Sequence, residues 1–317
     1  MLIVRYIDES GQPTVGLGAG GHVRPLVDRP TIGQLLQGSL AEIQSACEHS
    51  ANQPAVARAD VQLLPPLDAR MEVWAAGVTY RRSREARVQE SDKAADVYQL
   101  VYDAVRPELF FKSAAWRVTG DDEYVSIRRD SEINVPEPEL ALVLNSLGEI
   151  VGYTICNDVS SRSIEGANPL YLPQAKVYLG SCAVGPGIRP VWEVADPYSL
   201  QIEMSIHRQD AVVWQGVANT SELHRELGDL AEYLFREDVF PDGVVLSTGT
   251  SLVPELPFTL LGGDVIQIGI DEVGKLTSQV SRGKDEMAWL GEASEQRARR
   301  RSTFSVLTGQ APNSKSS

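Results

Sequence analysis

Glu137-Pro138-Glu139, followed by Asp158 in the stretch Gly152-Tyr153-Thr154-Ile155-Cys156-Asn157-Asp158, is the part of the sequence best suited to chemistry. Glu137 and Glu139 are two residues apart, so on a strand over residues 135–144 both side chains leave one face. The apolar run Leu140-Ala141-Leu142-Val143-Leu144 then takes that strand inside. Two carboxylates at the mouth of a buried strand repel each other and lose hydration unless something neutralises them. A hard divalent cation does so, and Mg²⁺ is commonly held by a few carboxylate oxygens plus waters and substrate. Ligand type alone admits Mn²⁺ or Ca²⁺ as well. Pro138 agrees with this placement, because proline within a strand belongs at an edge or a bulge. The plainer uses are a solvated face for the two glutamates and a turn or helix cap for Asp158.

Lys176 lies in Tyr171-Leu172-Pro173-Gln174-Ala175-Lys176-Val177-Tyr178. Most lysines are solvated, but one among apolar and aromatic neighbours can lose its proton and act as a base. Ser247-Thr248-Gly249-Thr250-Ser251 closes an apolar run and offers hydroxyls and backbone N–H groups to a carboxylate, or serves as a plain turn. Arg106 and Glu108 flank a Phe pair in Arg106-Pro107-Glu108-Leu109-Phe110-Phe111-Lys112, which also reads as an ordinary amphipathic strand. Gly16-Leu17-Gly18-Ala19-Gly20-Gly21 matches a dinucleotide fingerprint, but His22-Val23-Arg24-Pro25 opens no helix after it, so that function is rejected. No GxSxG elbow is present, which disfavours a serine hydrolase.

Composition narrows the field further. With 317 residues, 43% of them hydrophobic, the chain can bury one large core with an appendage, or two domains. A net charge of −14 argues against nucleic-acid or anionic-membrane surfaces. The three cysteines and four histidines show no ligand spacing, which excludes a zinc ribbon and a disulfide scaffold. The opening MLIVRYIDES reads as a strand rather than a signal peptide. No apolar run approaches the roughly 18 residues a spanning helix needs. A reduced, cytoplasmic protein is expected.

The elements that must position these residues follow from periodicity and turns. Strands are expected over residues 1–6 and 13–17, with a helix over 32–48 carrying Leu36, Leu40, Ile43 and Cys47 on one stripe. Pro65-Pro66 marks a boundary, giving a small N-terminal domain over 1–68 and a second domain over 69–290, with a flexible tail over 291–317. A strand over 71–76 and a polar helix over 83–104 come next. Short strands then dominate, over 109–112, 125–127, 137–145, 149–156, 202–208, 212–217, 244–248 and 264–270. A helix over 221–235 interrupts them, with Leu223, Leu227, Leu230 and Leu234 on one side and Thr220 or Ser221 as its cap. The turn Asn145-Ser146-Leu147-Gly148 makes a hairpin that carries Glu137, Glu139 and Asp158 to one end of a sheet.

Taken together, Gly77-Val78-Thr79-Tyr80, residues 106–113, 136–142, 152–162 and 174–176, Gly185-Pro186 and residues 247–250 resemble the fumarylacetoacetate hydrolase superfamily. They run in the right order over about residues 70–280. The resemblance implies an α+β fold, with a mixed β-roll catalytic domain, a small N-terminal α/β domain and a homodimer or homotetramer. It implies Mg²⁺ held by Glu137, Glu139 and Asp158. Larger hydrolase members add an Asp before the motif's Tyr and a His-bearing segment after it. Thr79-Tyr80-Arg81-Arg82-Ser83 has neither, which points away from a His-activated water.

Residues 164–176 resemble the branch that dehydrates 2-keto-3-deoxy sugar acids, such as 2-dehydro-3-deoxy-D-arabinonate, to 2,5-dioxopentanoate. In that branch a Glu at the position of Glu108 and a Lys at that of Lys176 form the catalytic pair. The implied roles are Lys176 as base at C3 and Glu108 as acid for the C4 hydroxyl. Arg106, Tyr80, Thr248 and Thr250 would bind the 2-keto acid. Rival activities on the same scaffold are C–C hydrolysis of an acylpyruvate-type 2,4-diketo acid and decarboxylation of an oxaloacetate-like acid. A catalytically silent binding protein is the rival of another class.

Overall fold

Alternating apolar residues and short turns lay out most of the chain as strands. The computed structural model describes residues 1–81 and 100–292. The helix expected over 83–104 and the tail over 291–317 fall largely outside the described residues. In chain order the strands are β1 (Leu2–Ile7), β2 (Pro13–Ala19), β3 (His22–Pro25), β4 (Val56–Ala57), β5 (Gln62–Leu64), β6 (Glu72–Gly77), β7 (Glu108–Ala114), β8 (Glu123–Ile127) and β9 (Asn134–Val135). They continue with β10 (Pro138–Leu144), β11 (Ile150–Asp158), β12 (Ser160–Ser161), β13 (Cys182–Pro190), β14 (Gln201–Arg208), β15 (Ala211–Asn219), β16 (Val244–Ser247), β17 (Val265–Ile270) and β18 (Gly274–Arg282).

An eleven-stranded sheet runs β4-β3-β2-β1-β13-β11-β10-β16-β6-β7, with β5 beside β1. A five-stranded sheet runs β15-β14-β17-β18-β8, and β12 pairs with β9. The pairs β16–β6 and β18–β8 are parallel among otherwise antiparallel neighbours. These mixed sheets with few helices are the expected α+β class.

The hairpin of β10 and β11 is the spine of the site. Its turn has Gly148 at φ +79, and Asn145 Oδ1 accepts from the N–H groups of Leu147 and Glu149. Pro138 stands opposite Asn157 and Glu139 opposite Cys156. Alternation divides β10 between two cores. Leu140, Leu142 and Leu144 pack toward the five-stranded sheet, while Ala141 and Val143 pack toward the N-terminal helices. A strand buried on both faces explains why it reads as a continuous apolar run.

Two helices depart from the sequence expectation. The one expected over 32–48 is split into α1 (Ile32–Leu35) and α2 (Leu40–His49), because Ser39 starts α2 with a capping box to Glu42 just after Gly38. The one expected over 221–235 begins as α-helix only at Leu227. Upstream of it, Leu223 bridges to Tyr80 and the His224 N–H donates to Thr79 O at 2.9 Å. Tertiary pairing therefore overrides the leucine spacing there. β13 and β18 were not expected from the sequence, since the Gly and Pro of residues 182–190 mask a strand that sits between β1 and β11.

Residues 1–68 share both sheet and core with the rest. Ile3 faces Ile188 of β13, and Ile32, Leu36 and Ile43 pack with Val143 and Val184. Asp242 ties the same regions together, receiving Arg70 Nε and Nη2 at 2.9 Å each and Gln37 Nε2 at 3.1 Å. The Arg70 hydrogen bonds hold the Asp242 carboxyl down at about 2. A depressed carboxyl stabilises the fold above its unfolded value near 4 and loses that contribution as pH falls toward 2. Asp242→Asn should therefore cost about 1 kcal/mol at pH 7, discounted because the Arg70 head is exposed, and progressively less as pH falls through 2. Urea titrations at the two pH values check this. Among the described residues no helix is long and apolar enough to cross a membrane.

Candidate active site

Asp158 ends β11 with its N–H donating to Glu137 O at 2.9 Å, which locks the hairpin's open end. Oxygens of Glu137, Glu139 and Asp158 then lie within 4.8 Å of one another, all three residues buried. Glu139 accepts from Ser247 Oγ at 2.5 Å and from the Gly249 N–H at 2.9 Å, so the loop after β16 fixes it. Burial pushes the Glu139 carboxyl well above the usual range, and the charges of Asp158 and Glu137 push the same way.

Three cations neutralise the cluster. Arg162 donates to Glu137 Oε1 at 2.7 Å, from α3 (Arg162–Ala167). Lys112 of β7 forms an ion pair with Asp158 and also donates to the carbonyls of Val159 and Lys176, at 3.1 and 2.7 Å. Lys176 ends α4 (Leu172–Lys176) and reaches Glu137 Oε2 at 2.7 Å, Asp158 Oδ2 at 2.9 Å and Ser160 Oγ at 2.6 Å. These three contacts match the three donors of an ammonium. Its surroundings are thus acidic as well as aromatic, with the Phe110 ring centroid 5.7 Å away.

A narrow cleft opens onto the trio, walled by Gly77, Val78, Glu108, Phe110, Glu165, Leu172, Lys176 and Thr250. Glu108 stands opposite Gly77 in the β6–β7 pair. A Cβ on Gly77 would lie 2.0 Å from Glu108 Oε2, so the glycine is what lets this carboxyl lie across the strand into the cleft. Gly77→Ala should leave the fold intact, because a side-chain terminus can swing aside, while activity falls about 10- to 100-fold from misplacement of Glu108. Equal melting temperature with reduced kcat checks this. Val78, next to it, holds φ +53, an uncommon backbone conformation for a β-branched residue and one that occurs at sites over-determined by their surroundings.

The donor set fits a divalent ion. Oxygens of three buried carboxyl groups converge on one point, the hard donor set that a dication such as Mg²⁺ takes. The match to the family described as "Fumarylacetoacetate (FAA) hydrolase C-terminal" covers residues 72–281.

The chain belongs to the fumarylacetoacetate hydrolase family.

Within and around that family, the chain is 44% identical over 263 residues to a probable 2-keto-3-deoxyxylonate dehydratase of Haloferax volcanii, covering 83% of this chain and 90% of the relative. It is 44% identical over 227 residues to 2-dehydro-3-deoxy-D-arabinonate dehydratase of Saccharolobus solfataricus, covering 70% and 76%. A solved structure of 2-keto-3-deoxy-D-arabinonate dehydratase complexed with magnesium and 2,5-dioxopentanoate superimposes with a TM-score of 0.75 at 34% identity, covering 89% of this chain and 99% of that one.

The fold does not gather every candidate. Glu137, Glu139, Asp158, Lys176, Glu108 and Thr250 border one cleft. Thr250 Oγ1 donates to Leu252 O at 3.3 Å, and Thr248 Oγ1 is turned to Leu140 O at 2.8 Å. Tyr80 is wholly buried, its phenol pushed up by burial and by the charges of Glu139 and Glu222. Arg106 is exposed, its guanidinium 5.4 Å from the Tyr233 ring centroid and away from the cleft lining. Lys112, Arg162, Ser160 and Glu165 went unselected in the sequence, whereas the Ser247 hydroxyl and Gly249 N–H of the 247–251 segment do meet a carboxylate, that of Glu139. Lys112 could have been noticed as a charge inside the apolar run Phe110-Phe111-Lys112.

Proposed function

We propose that the protein is a magnesium-dependent dehydratase of a 2-keto-3-deoxy sugar acid, with 2,5-dioxopentanoate as the product of the five-carbon substrate. The observation that carries it is the convergence of the acidic trio with Lys176 and Glu108 on one cleft, in a chain similar to dehydratases of this class. Mg²⁺, held by Glu137, Glu139 and Asp158, supplies Lewis-acid stabilisation of the negative charge developing at the 2-keto oxygen.

The chain's own residues handle the protons. Lys176 takes the C3 proton as a free amine; its nitrogen is set beside the trio by its contacts to Glu137 and Asp158, carboxylates that a bound dication would partner in its place. Glu108 gives a proton to the C4 hydroxyl as the C4–O bond breaks, so that C3=C4 forms and one water leaves. A proton shift from C5 to C3 then yields an enol, which becomes the C5 aldehyde. Phe110 and Leu172 line the same cleft and limit water there. Arg162 and Lys112 hold Glu137 and Asp158 in place through their ion pairs.

C–C hydrolysis of a 2,4-diketo acid is less well served, because among the described residues none that lines the cleft is a histidine that could activate water. The reading carries with it a place in pentose catabolism, a homodimer or homotetramer, and a cytoplasmic setting. The test is to offer 2-keto-3-deoxypentonates, the corresponding hexonates and a 2,4-diketo acid, each with Mg²⁺ and with EDTA. Loss of water from a 3-deoxy-2-keto acid only with Mg²⁺ supports the proposal. Cleavage of the diketo acid alone overturns it.

A further inference from the structure

The three hydrogen-bond partners of the Lys176 head group fare differently once a dication is bound. Two of them, Glu137 Oε2 at 2.7 Å and Asp158 Oδ2 at 2.9 Å, belong to the acidic trio, whose oxygens a hard dication takes as ligands. The third is Ser160 Oγ at 2.6 Å, a neutral hydroxyl outside the trio. Ser160 is therefore the partner for which the metal does not compete.

The fold fixes that hydroxyl firmly. Ser160 is wholly buried on β12, where pairing with β9 sets it opposite Val135. Its own proton goes to the Asp158 carbonyl at 2.9 Å, so toward Lys176 the oxygen can only accept. The backbone end of the lysine is clamped as well. Its carbonyl accepts from Lys112 Nζ at 2.7 Å and from Ser181 Oγ at 2.9 Å. What remains free is a flexible four-carbon stem, and the Ser160 oxygen decides where its nitrogen stops. An N–H directed at Ser160 leaves the lone pair of the amine to face elsewhere. When the nitrogen gains the C3 proton the same contact becomes charge-assisted, and such bonds are roughly twice as strong as neutral ones. The contact thus strengthens along the reaction, which is how an interaction lowers a barrier.

We propose that Ser160 is the positioning residue that holds the Lys176 nitrogen at the reacting carbon while metal occupies the trio. The proposal rests on the dehydratase reading.

The experiment joins crystals of the Mn²⁺-loaded protein to Mg²⁺-dependent kinetics on a 2-keto-3-deoxypentonate, for wild type, Ser160→Ala and Ser160→Thr. In loaded wild type the Lys176 nitrogen should stay within about 3 Å of Ser160 Oγ. In Ser160→Ala it should leave that position, and kcat should fall about 10- to 100-fold, the scale of a misplaced reacting group. KM, and metal affinity by calorimetry, should stay within a few-fold. Ser160→Thr keeps the hydroxyl and should recover most of kcat. Unchanged kcat in Ser160→Ala overturns the proposal, as do parallel losses in kcat, KM and metal affinity, which mark a structural role. A threonine hydroxyl that holds the nitrogen without restoring kcat overturns it too. If the variants fail to fold, the wild-type crystal still decides: an active protein whose loaded form has the nitrogen off Ser160 overturns this inference alone. Wild-type protein that dehydrates no 3-deoxy-2-keto acid overturns the dehydratase reading and this inference together.

Discussion

Glu139→Gln is expected to weaken Mg²⁺ binding by more than about 100-fold, because outer partners of metal ligands already account for 10- to 100-fold effects. The glutamine preserves shape, and its Oε1 can still accept from Ser247 Oγ and the Gly249 N–H, so the loop after β16 keeps its anchor. What disappears is one of three converging negative charges. The metal-free variant should melt no lower than wild type, since Glu139 is wholly buried beside Asp158 and Glu137 and its carboxyl is held well above its ordinary 4.5. A raised folded-state value means ionisation opposes folding as pH climbs past the unfolded value, so the gain is present at pH 7 and absent near pH 4. Mg²⁺ should raise the melting temperature of wild type and not of the variant. Calorimetric titration and melting with and without Mg²⁺ measure both effects. Unchanged affinity would sink the assignment of Glu139 as a ligand.

Lys176→Met carries the second large effect, and it separates stability from chemistry. Without the ammonium, Glu137 and Asp158 lose contacts of 2.7 and 2.9 Å at a place where both are almost wholly buried. Removing one partner of a buried ion pair typically destabilises by 3–5 kcal/mol, about that much being expected here for the metal-free protein. Arg162 and Lys112 remain, so the fold should survive. Added Mg²⁺ can replace the missing positive charge, so saturating metal should restore most of the melting temperature. Dehydration should stay about 100- to 10,000-fold down, because a cation does not take the proton from C3. Recovery of activity with metal would remove Lys176 from the chemistry and leave it only a counterion.

The trio of carboxylates was legible because it depends on local rules. Period-two alternation put Glu137 and Glu139 on one face, and a four-residue turn returned Asp158 to them. Lys176 was singled out, as a base and not as a counterion, while Lys112 and Arg162 were not legible, since they come from β7 and α3 and meet the acids only in the folded cluster. Arg106 shows the reverse, a charge near the motif in sequence that the fold directs to Tyr233. The start of the helix expected over 221–235 was misread for a similar reason. The pairing of Leu223 with Tyr80 that prevents it lies more than a hundred residues away in sequence. Gly77 was visible as part of a motif, but its purpose shows only when the Glu108 carboxyl is seen lying over it.

Crystals grown with Mn²⁺ in place of Mg²⁺ and measured at the manganese edge test the whole account most directly. A single anomalous peak within coordination distance of Glu137, Glu139 and Asp158, with the Lys176 nitrogen moved off at least one of them, is the expected result. No peak there at saturating metal, with Glu137 and Asp158 still clasped by lysine and arginine, would contradict it.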